Sequence, residues 1–189
     1  MKVRIGVSNR HCHLTREVLD ILFGEGYELT VRNKIRQVGQ FACNETVSIR
    51  TKKNTIEKVR ILGPLRPYTQ VEVSKTDSYF LGINPPIRDS GDLENSETVT
   101  IIGPKGEYNA VNSTIIANRH IHLDPNTAFI LDLKDGDKVC VKVDSVKGGV
   151  MEEVYIKVDP KFFYEMHLDT DDSNAFMLKT GDVVEIEKY

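Results

Sequence analysis

Hydrophobic residues, most of them β-branched, occupy alternate positions in many short segments that glycine, proline and aspartate separate. Side chains on a β-strand point alternately to its two faces, so this alternation is typical of strands with one buried face. We predict strands within residues 3–7, 46–51, 69–73, 99–102, 139–143, 154–158 and 183–186. Many short strands with turn residues between them favour a mainly β fold of barrels or sandwiches over a parallel sheet.

Helical patterns are few and short. The clearest predicts a helix over Arg16–Phe23, with Thr15 as its N-cap and Gly24 at its end. Asp124 and Pro125 predict a second helix start, since aspartate suits the cap and proline suits the first helical position.

Repeated motifs divide the chain. Residues 9–14 (NRHCHL) recur as residues 118–123 (NRHIHL), and a longer pattern that begins with His122-Leu-Asp recurs from His167. Each copy of the longer pattern predicts a strand end, a cap, a short helix, a Gly-Asp turn and another strand. We predict one discontinuous β-domain from residues 1–9 and 115–189, and an inserted β-domain from residues 10–114.

All five histidines lie in these motifs: His11, His13, His120, His122 and His167. Residues i and i+2 of a strand share a face and lie about 6–7 Å apart, so a His-x-His pair can present two imidazoles to one metal ion. One such pair also occurs as a hydrogen-bonded surface pair, but two copies and a fifth matching histidine favour metal binding.

The ligand types favour a catalytic over a structural zinc site. Structural zinc normally has four Cys or His ligands. The three cysteines (Cys12, Cys43 and Cys140) have no CxxC spacing, and Cys12 is expected to face away from its neighbouring histidines. Each histidine motif also leads into a helix start, which favours anions. Metal and helix starts together suit phosphate or a developing oxyanion.

The middle of the chain adds two candidate charges. On a strand over residues 69–73 the alternation places Glu72 opposite the apolar face, as a candidate metal carboxylate, and Arg66 is a candidate phosphate clamp. Both residue types are also common as solvated surface charges. The same two interpretations apply to the basic stretch of Arg50, Lys52, Lys53, Lys58 and Arg60, which would fit the phosphates of a nucleotide-bearing cofactor.

Composition excludes several classes of function. The net charge of −3 and the lack of a basic stripe argue against nucleic-acid binding. No apolar run reaches the roughly 20 residues that a membrane helix needs. Because strand alternation begins at the first residues, we expect no signal peptide, and three widely spaced cysteines fit a reducing cytosol.

Five motifs together resemble the phosphate propanoyltransferase family, phosphotransacylases associated with bacterial propanediol-using microcompartments. They are VSNRHCH (residues 7–13), RQVGQF (36–41), GPLR (63–66), TQVEVS (69–74) and NRHIH (118–122). The resemblance covers nearly the whole chain. It implies two small closed β-barrels with short capping α-helices, the first barrel built from both chain ends.

The resemblance also implies an activity: interconversion of acyl-CoA (propanoyl-CoA or acetyl-CoA) and phosphate with acyl phosphate and coenzyme A, using two zinc ions. By resemblance, Arg66 is the catalytic, phosphate-binding residue. One zinc is held by His11, His13 and Glu72, and the second by His120, His122 and His167. The implied coenzyme A contacts are Gly6, Val7, Ser8, Lys53, Arg60 and Asn174.

Location and assembly are further expectations. Family members in microcompartments often carry an N-terminal amphipathic extension; since the first strand begins at Met1, we expect a bacterial cytoplasmic enzyme and no encapsulation by that route. A homodimer is expected because two-fold dimers are the commonest oligomers.

Two alternatives stay open at this point. One is a zinc-dependent hydrolase of thioesters or phosphate esters, which would not make acyl phosphate. The other is a non-catalytic, zinc-stabilised binding module. The acyl chain length and the metal also stay open, since imidazole suits cobalt and iron as well.

Overall fold

A computed structural model of the chain describes residues 1–188, in which fourteen strands and four short helices alternate. The strands are β1 (Lys2–Ser8), β2 (His11–His13), β3 (Val31–Lys34), β4 (Phe41–Arg50), β5 (Thr55–Gly63), β6 (Gln70–Glu72), β7 (Ile87–Arg88), β8 (Glu97–Ile102), β9 (Glu107–Ala117), β10 (His120–Leu123), β11 (Lys138–Val143), β12 (Gly149–Val158), β13 (Glu165–Asp169) and β14 (Val183–Lys188). The helices are α1 (Arg16–Phe23), α2 (Lys75–Leu81), α3 (Pro125–Leu131) and α4 (Thr170–Ala175).

These elements form two compact units, one from residues 1–9 with 118–188 and the other from residues 10–117. The first unit is a closed six-stranded barrel in the order β1-β13-β10-β12-β11-β14. Its N-terminal strand β1 pairs with β13 on one side and with β14 on the other. The predicted barrel from both chain ends is therefore confirmed.

The second unit is also a closed ring of six strands. In order, β4 pairs with β5, β5 with β2, β2 with β6, β6 with β9, β9 with β8, and β8 returns to β4. Strands β3 and β7 extend this sheet beside β4 and β9. The mainly β class and the two small closed barrels are confirmed.

Both barrels use one arrangement of parallel and antiparallel pairs. An antiparallel pair, β2·β6 or β10·β13, lies between two parallel neighbours, β5 and β9 or β12 and β1. Each of these four central strands leads into a short helix whose N-cap side chain accepts a backbone N–H bond. The caps are Thr15, Ser74, Asp124 and Asp169. Helix α1 has the predicted bounds, and Asp124 and Pro125 begin α3 as predicted.

Each barrel has its own hydrophobic core, filled by alternate residues of its strands. In β1, Val3 and Ile5 are buried while Lys2 and Arg4 are exposed. In β10, Ile121 and Leu123 are fully buried and the intervening positions are half-buried. All seven predicted strands overlap observed strands because their apolar positions face these two cores.

The arginine of the repeated Asn-Arg-His motif has the same partner type in both barrels. Arg10 pairs with Asp77, the third residue of α2, and Arg119 lies 3.2 Å from Asp172, the third residue of α4. Each arginine directly precedes one strand of a central pair and bonds to the helix that follows the other strand of that pair. The repeated arginine therefore holds each central pair against its helix.

No helix among residues 1–188 combines the length and apolarity needed to cross a lipid bilayer.

The turn between β8 and β9 packs closely against the end of α1, since the Lys105 N–H donates to the Leu22 carbonyl oxygen (2.9 Å). A Cβ atom at Gly103 would overlap that same carbonyl group. We expect Gly103→Ala to lower the free energy of unfolding by about 1–3 kcal/mol in urea denaturation. The matched control is Gly149→Ala, whose Cβ would meet only Phe176 at an ordinary 3.5 Å. Equal stability of the two variants would contradict this packing.

Candidate active site

The central pair of the second barrel carries the first group of candidate ligands. In the β2·β6 register His11 lies opposite Glu72, and His13 lies opposite Gln70. Between them, Cys12 and Val71 are paired and point into the hydrophobic core. Alternation thus places His11, His13 and Glu72 together on the other face, as the sequence predicts for a strand.

The donor atoms of His11, His13 and Glu72 all lie within 4.8 Å of one another. The His11 Nε2 atom is 3.4 Å from Oε2 of Glu72, and the two histidines are only 6% and 2% exposed. Two imidazoles and one carboxylate form a ligand set that suits zinc and leaves a coordination position open. These three residues therefore fit a metal ion.

The surroundings of His13 keep its imidazole ready to coordinate. Its Nδ1 atom lies 3.2 Å from the Leu62 carbonyl oxygen, which only accepts, so Nδ1 carries the proton and Nε2 keeps its lone pair. Burial, with the charges of His11 and Arg66, lowers the pKa of His13 to about 3. The ring is therefore neutral at physiological pH.

A hydrogen-bonded chain connects this group to Arg66. The Nη1 atom of Arg66 donates to Oη of Tyr68 (3.3 Å) and to Oγ of Ser90 (3.0 Å). The Nε2 atom of Gln70 donates to Ser90 Oγ (2.8 Å) and to Oε1 of Glu72 (2.6 Å). The structure thus joins the predicted phosphate clamp to the predicted metal carboxylate.

Sequence reasoning missed two members of this chain. Strand alternation places Gln70 on the same face as Glu72, and this is the only signal that the sequence carries for it. Ser90 belongs to no motif; its single signal is the Asp-Ser-Gly-Asp turn at residues 89–92, a composition common in turns.

Cys12 is unsuited to be a nucleophile. Its side chain is fully buried in the core, and burial raises the pKa of its thiol far above the ordinary value. A thiol must lose its proton to attack, so Cys12 stays inert at neutral pH. Cys43, whose pKa burial raises to about 11, belongs to the same core.

The central pair of the first barrel gathers the other three histidines. His120 lies opposite His167 in the β10·β13 register, and His122 lies opposite Glu165. The three ring centroids are 4.6–5.1 Å apart. Burial, with the neighbouring His167, lowers the pKa of His122 to about 3 and holds the pKa of His120 well below its usual value.

Two features of this second histidine group suit a metal site. His120 Nδ1 lies 2.7 Å from the Asn118 carbonyl oxygen, so its Nε2 keeps the lone pair. His122 Nδ1 is buried without a hydrogen-bond partner among the described residues. The rings of His120 and His167 are stacked, however, with an angle of 8° between their planes. Of the described residues, only His11, His13 and Glu72 have donor atoms within 4.8 Å of one another. Metal binding here would require these rings to turn.

Two residues of the second group escaped sequence reasoning. Glu165 is 5% exposed, and its Oε2 atom lies 3.6 Å from His167 Nε2. Phe162 stacks on the His122 ring at 3.8 Å between centroids. Neither belongs to the repeated motif, although Glu165 lies two positions before His167 on the same strand face.

The candidate coenzyme A contacts fall into two sets. Gly6, Val7 and Ser8 lie beside β13, in register with residues 167–169. A Cβ atom at Gly6 would come within 2.9 Å of the Glu165 carboxyl group, so a larger residue there would displace that side chain. Asn174 is exposed on α4, the helix that follows β13.

The two basic candidates belong to the second barrel, and both bond to backbone carbonyl groups. Lys53 Nζ donates to the Tyr79 oxygen (3.1 Å). Arg60 Nη1 donates to the carbonyl oxygens of Cys43 (2.9 Å) and Asn44 (2.7 Å). Arg60 itself lies opposite His11 in the parallel β2·β5 pair. No described contact joins Lys53 to the His11 group.

Comparisons with known proteins agree with one another. The family model for phosphate propanoyltransferase matches residues 4–179. A phosphate propanoyltransferase of Thermotoga maritima is 51% identical over 186 residues, which cover 98% of this chain and 89% of that protein. Proteins of the same name from Rhodopseudomonas palustris and Priestia megaterium are 49% and 50% identical over 187 residues; each alignment covers 99% of this chain, and 83% and 86% of those proteins. The similarity spans both barrels.

The low pKa of His13 predicts an acid-sensitive metal-free protein. In the unfolded chain the His13 imidazole takes up a proton near pH 6.5, whereas the buried ring stays neutral down to about pH 3. The contribution of the neutral His13 ring to stability is therefore complete above pH 6.5 and is lost as the pH falls. In the presence of a chelator that removes any bound metal, we expect this residue alone to lower the free energy of unfolding by about 2 kcal/mol between about pH 7 and pH 5.

Urea denaturation at both pH values measures this loss, with His13→Gln as the comparison. The variant cannot take up that proton, so its pH dependence should be smaller by the same amount. An equal pH dependence in both proteins would contradict a neutral, buried His13.

Proposed function

The chain belongs to the phosphate propanoyltransferase family, and we propose that it transfers a propanoyl or acetyl group between coenzyme A and inorganic phosphate. The observation that carries this proposal is the hydrogen-bonded chain from Arg66 through Ser90 and Gln70 to Glu72. It couples an anion-binding guanidinium to a buried ligand set for a metal. A transferase that uses phosphate as acyl acceptor needs both in one place.

Arg66 binds and orients the phosphate. Its guanidinium is always charged and matches two phosphate oxygens at once. The bonds from Nη1 to Tyr68 and Ser90 fix the plane of this group before substrate arrives. Such a fixed positive charge offsets the repulsion between phosphate and the carbonyl oxygen of the thioester, so the attacking oxygen can approach the carbonyl carbon.

Two zinc ions complete the proposed enzyme. His11, His13 and Glu72 would hold the first, and His120, His122 and His167 the second. Bound zinc would supply Lewis acidity and an affinity for thiolate sulfur. The convergent donor atoms support the first site, whereas the equivalent strand pairing and the unpartnered His122 Nδ1 support the second.

We assign coenzyme A to the strand end at Gly6, Val7 and Ser8 and to Asn174, with Lys53 and Arg60 as basic contacts. The register of this strand end with residues 167–169, which include the candidate ligand His167, supports the assignment. The transfer is direct: a phosphate oxygen forms the new bond to the acyl carbon, and the bond to sulfur breaks. The buried, protonated Cys12 thiol supports transfer without an acyl-enzyme.

Location and assembly are proposed on different grounds. The relatives quoted above come from bacteria, which supports a bacterial cytoplasmic enzyme. A homodimer is the proposed oligomer, on the general prevalence of two-fold symmetry.

The test is thioester formation from propanoyl phosphate and coenzyme A, followed by ultraviolet absorbance in zinc-supplied protein. We expect one phosphate released for each thioester formed, and reversal by added phosphate. Arg66→Ala should reduce kcat/KM for propanoyl phosphate by roughly a hundredfold, because a charged hydrogen-bonding clamp is lost. The matched control Arg32→Ala, at an exposed arginine of strand β3, should keep normal turnover.

Two results would overturn the proposal. Release of free propanoate without thioester would establish a hydrolase. If zinc-loaded protein formed neither product, a non-catalytic binding module would replace the enzyme.

A further inference from the structure

The first barrel contains the same tight turn twice, at residues 134–137 (KDGD) and 179–182 (KTGD), each after the helix of one repeat copy. In both turns the last aspartate N–H donates to the lysine carbonyl oxygen (3.1 Å). The lysine N–H donates in return to the aspartate carboxylate, at 2.7 Å in the first turn and 2.9 Å in the second. The glycines have φ angles of 84° and 99°, which glycine tolerates without strain. The two turns therefore share one hydrogen-bonded geometry.

Each turn is bonded to its neighbouring strand in the same way. In the first turn, the Gly136 N–H donates to the Ile156 carbonyl oxygen of β12 (2.9 Å), and the Ile156 N–H donates back to the turn (2.8 Å). In the second turn, the Gly181 N–H donates to the Ile5 carbonyl oxygen of β1 (2.9 Å), and the Ile5 N–H donates back (2.8 Å). Strands β12 and β1 are also equivalent, since each is the parallel neighbour of a central strand.

The two turns differ at the residue that bonds to the end of the strand. The Val158 N–H donates to Oδ1 of Asp135 (2.8 Å), whereas the Val7 N–H donates to Oγ1 of Thr180 (3.1 Å). A carboxylate accepts the stronger, charge-assisted bond from a backbone N–H, so stability alone favours aspartate in both turns. The threonine lies beside β1, at the strand end to which we assign coenzyme A.

A threonine offers a ligand what an aspartate does not. An ionised carboxylate can only accept hydrogen bonds, whereas a hydroxyl accepts and also has a hydrogen to donate. The Thr180 oxygen accepts from Val7, and its hydroxyl donates to no partner among residues 1–188. Thr180 is exposed, so this donor is accessible from solvent.

The backbone of Val7 adds an acceptor beside this donor. Strand β14 pairs with β1 only along Lys2–Arg4, and the turn covers the same edge farther along. The N–H and C=O groups of one strand residue face the same neighbour, so the Val7 carbonyl group points to the edge where Thr180 lies. A hydroxyl donor and a carbonyl acceptor at one strand edge match the C=O and N–H groups of a secondary amide.

We propose that Thr180 is a substrate-contacting residue that binds, together with the Val7 carbonyl group, a secondary amide of the pantetheine arm of coenzyme A. The inference rests on the proposed function and on the assignment of coenzyme A to this strand end. The pantetheine arm carries its amides between the nucleotide and the reactive thiol, so this contact would help to direct the thiol end of the substrate. An aspartate at the same position would present only acceptors and would repel the amide carbonyl oxygen.

The test is coenzyme A binding to zinc-supplied protein, measured by isothermal titration calorimetry. Thr180→Val removes the hydroxyl at nearly constant volume and should weaken binding roughly three- to tenfold, the range for one neutral hydrogen bond. Thr180→Ser keeps the hydroxyl and should bind like the unmodified protein. Thr180→Asp should weaken binding by about tenfold or more, because a charged acceptor replaces the donor.

The aspartate variant also separates substrate contact from a purely structural role. Because Asp135 holds the equivalent strand end, Thr180→Asp should keep the Val7 N–H bonded and leave the urea denaturation midpoint unchanged. The matched control Asp135→Thr makes the reverse exchange in the other turn and should bind coenzyme A normally. If Thr180→Asp binds coenzyme A like the unmodified protein, Thr180 only holds β1 and the proposal fails. It also fails if Asp135→Thr weakens binding as much as Thr180→Asp does.

The thioester assay keeps this outcome apart from that of the proposed function. Thr180→Asp should raise the KM for coenzyme A and leave the KM for propanoyl phosphate unchanged. If the unmodified protein forms thioester and this variant has an unchanged KM for coenzyme A, only the role of Thr180 is refuted. An unmodified protein that binds coenzyme A without forming thioester refutes the transferase, and calorimetry still decides on Thr180. Failure of the unmodified protein to bind coenzyme A overturns both.

Discussion

The antiparallel pairing of two short strands at the centre of each barrel is the constraint on which the site depends. In β2·β6 and in β10·β13 the register decides which side chains lie opposite one another, and strand alternation decides which of them face away from the core. A shift of one residue would turn Cys12 and Ile121 outward and bury the histidines in the apolar core. Full burial of these two residues therefore fixes the face on which the imidazoles lie.

Each central pair combines histidines with one carboxylate, but in different places. Opposite His11 and His13 lie Glu72 and Gln70, whereas opposite His120 and His122 lie His167 and Glu165. The carboxylate thus lies opposite the first histidine of the motif in the second barrel and opposite the second histidine in the first barrel. Burial keeps the pKa of His13, His120 and His122 below the ordinary value, so these three imidazoles are neutral at physiological pH.

Features that depend on local pattern were predictable from sequence. Alternation and caps gave the strands and the bounds of α1, and the repeated His-x-His motif predicted imidazoles on one strand face. Closure of the two barrels was not predictable this way, because the β4·β8 and β1·β14 strand pairs join residues far apart in the chain. Ser90 is the same case: its contacts with Gln70 and Arg66 span 20 and 24 residues, and no motif encodes them.

We propose that both central strand pairs hold a metal ion. Elemental analysis of the purified, zinc-supplied protein measures the number of ions per chain directly. We predict two zinc ions in the unmodified protein, and one in each of the variants His11→Ala and His120→Ala. A single ion that is lost with His11 but unaffected by His120→Ala would contradict a second metal site in the first barrel.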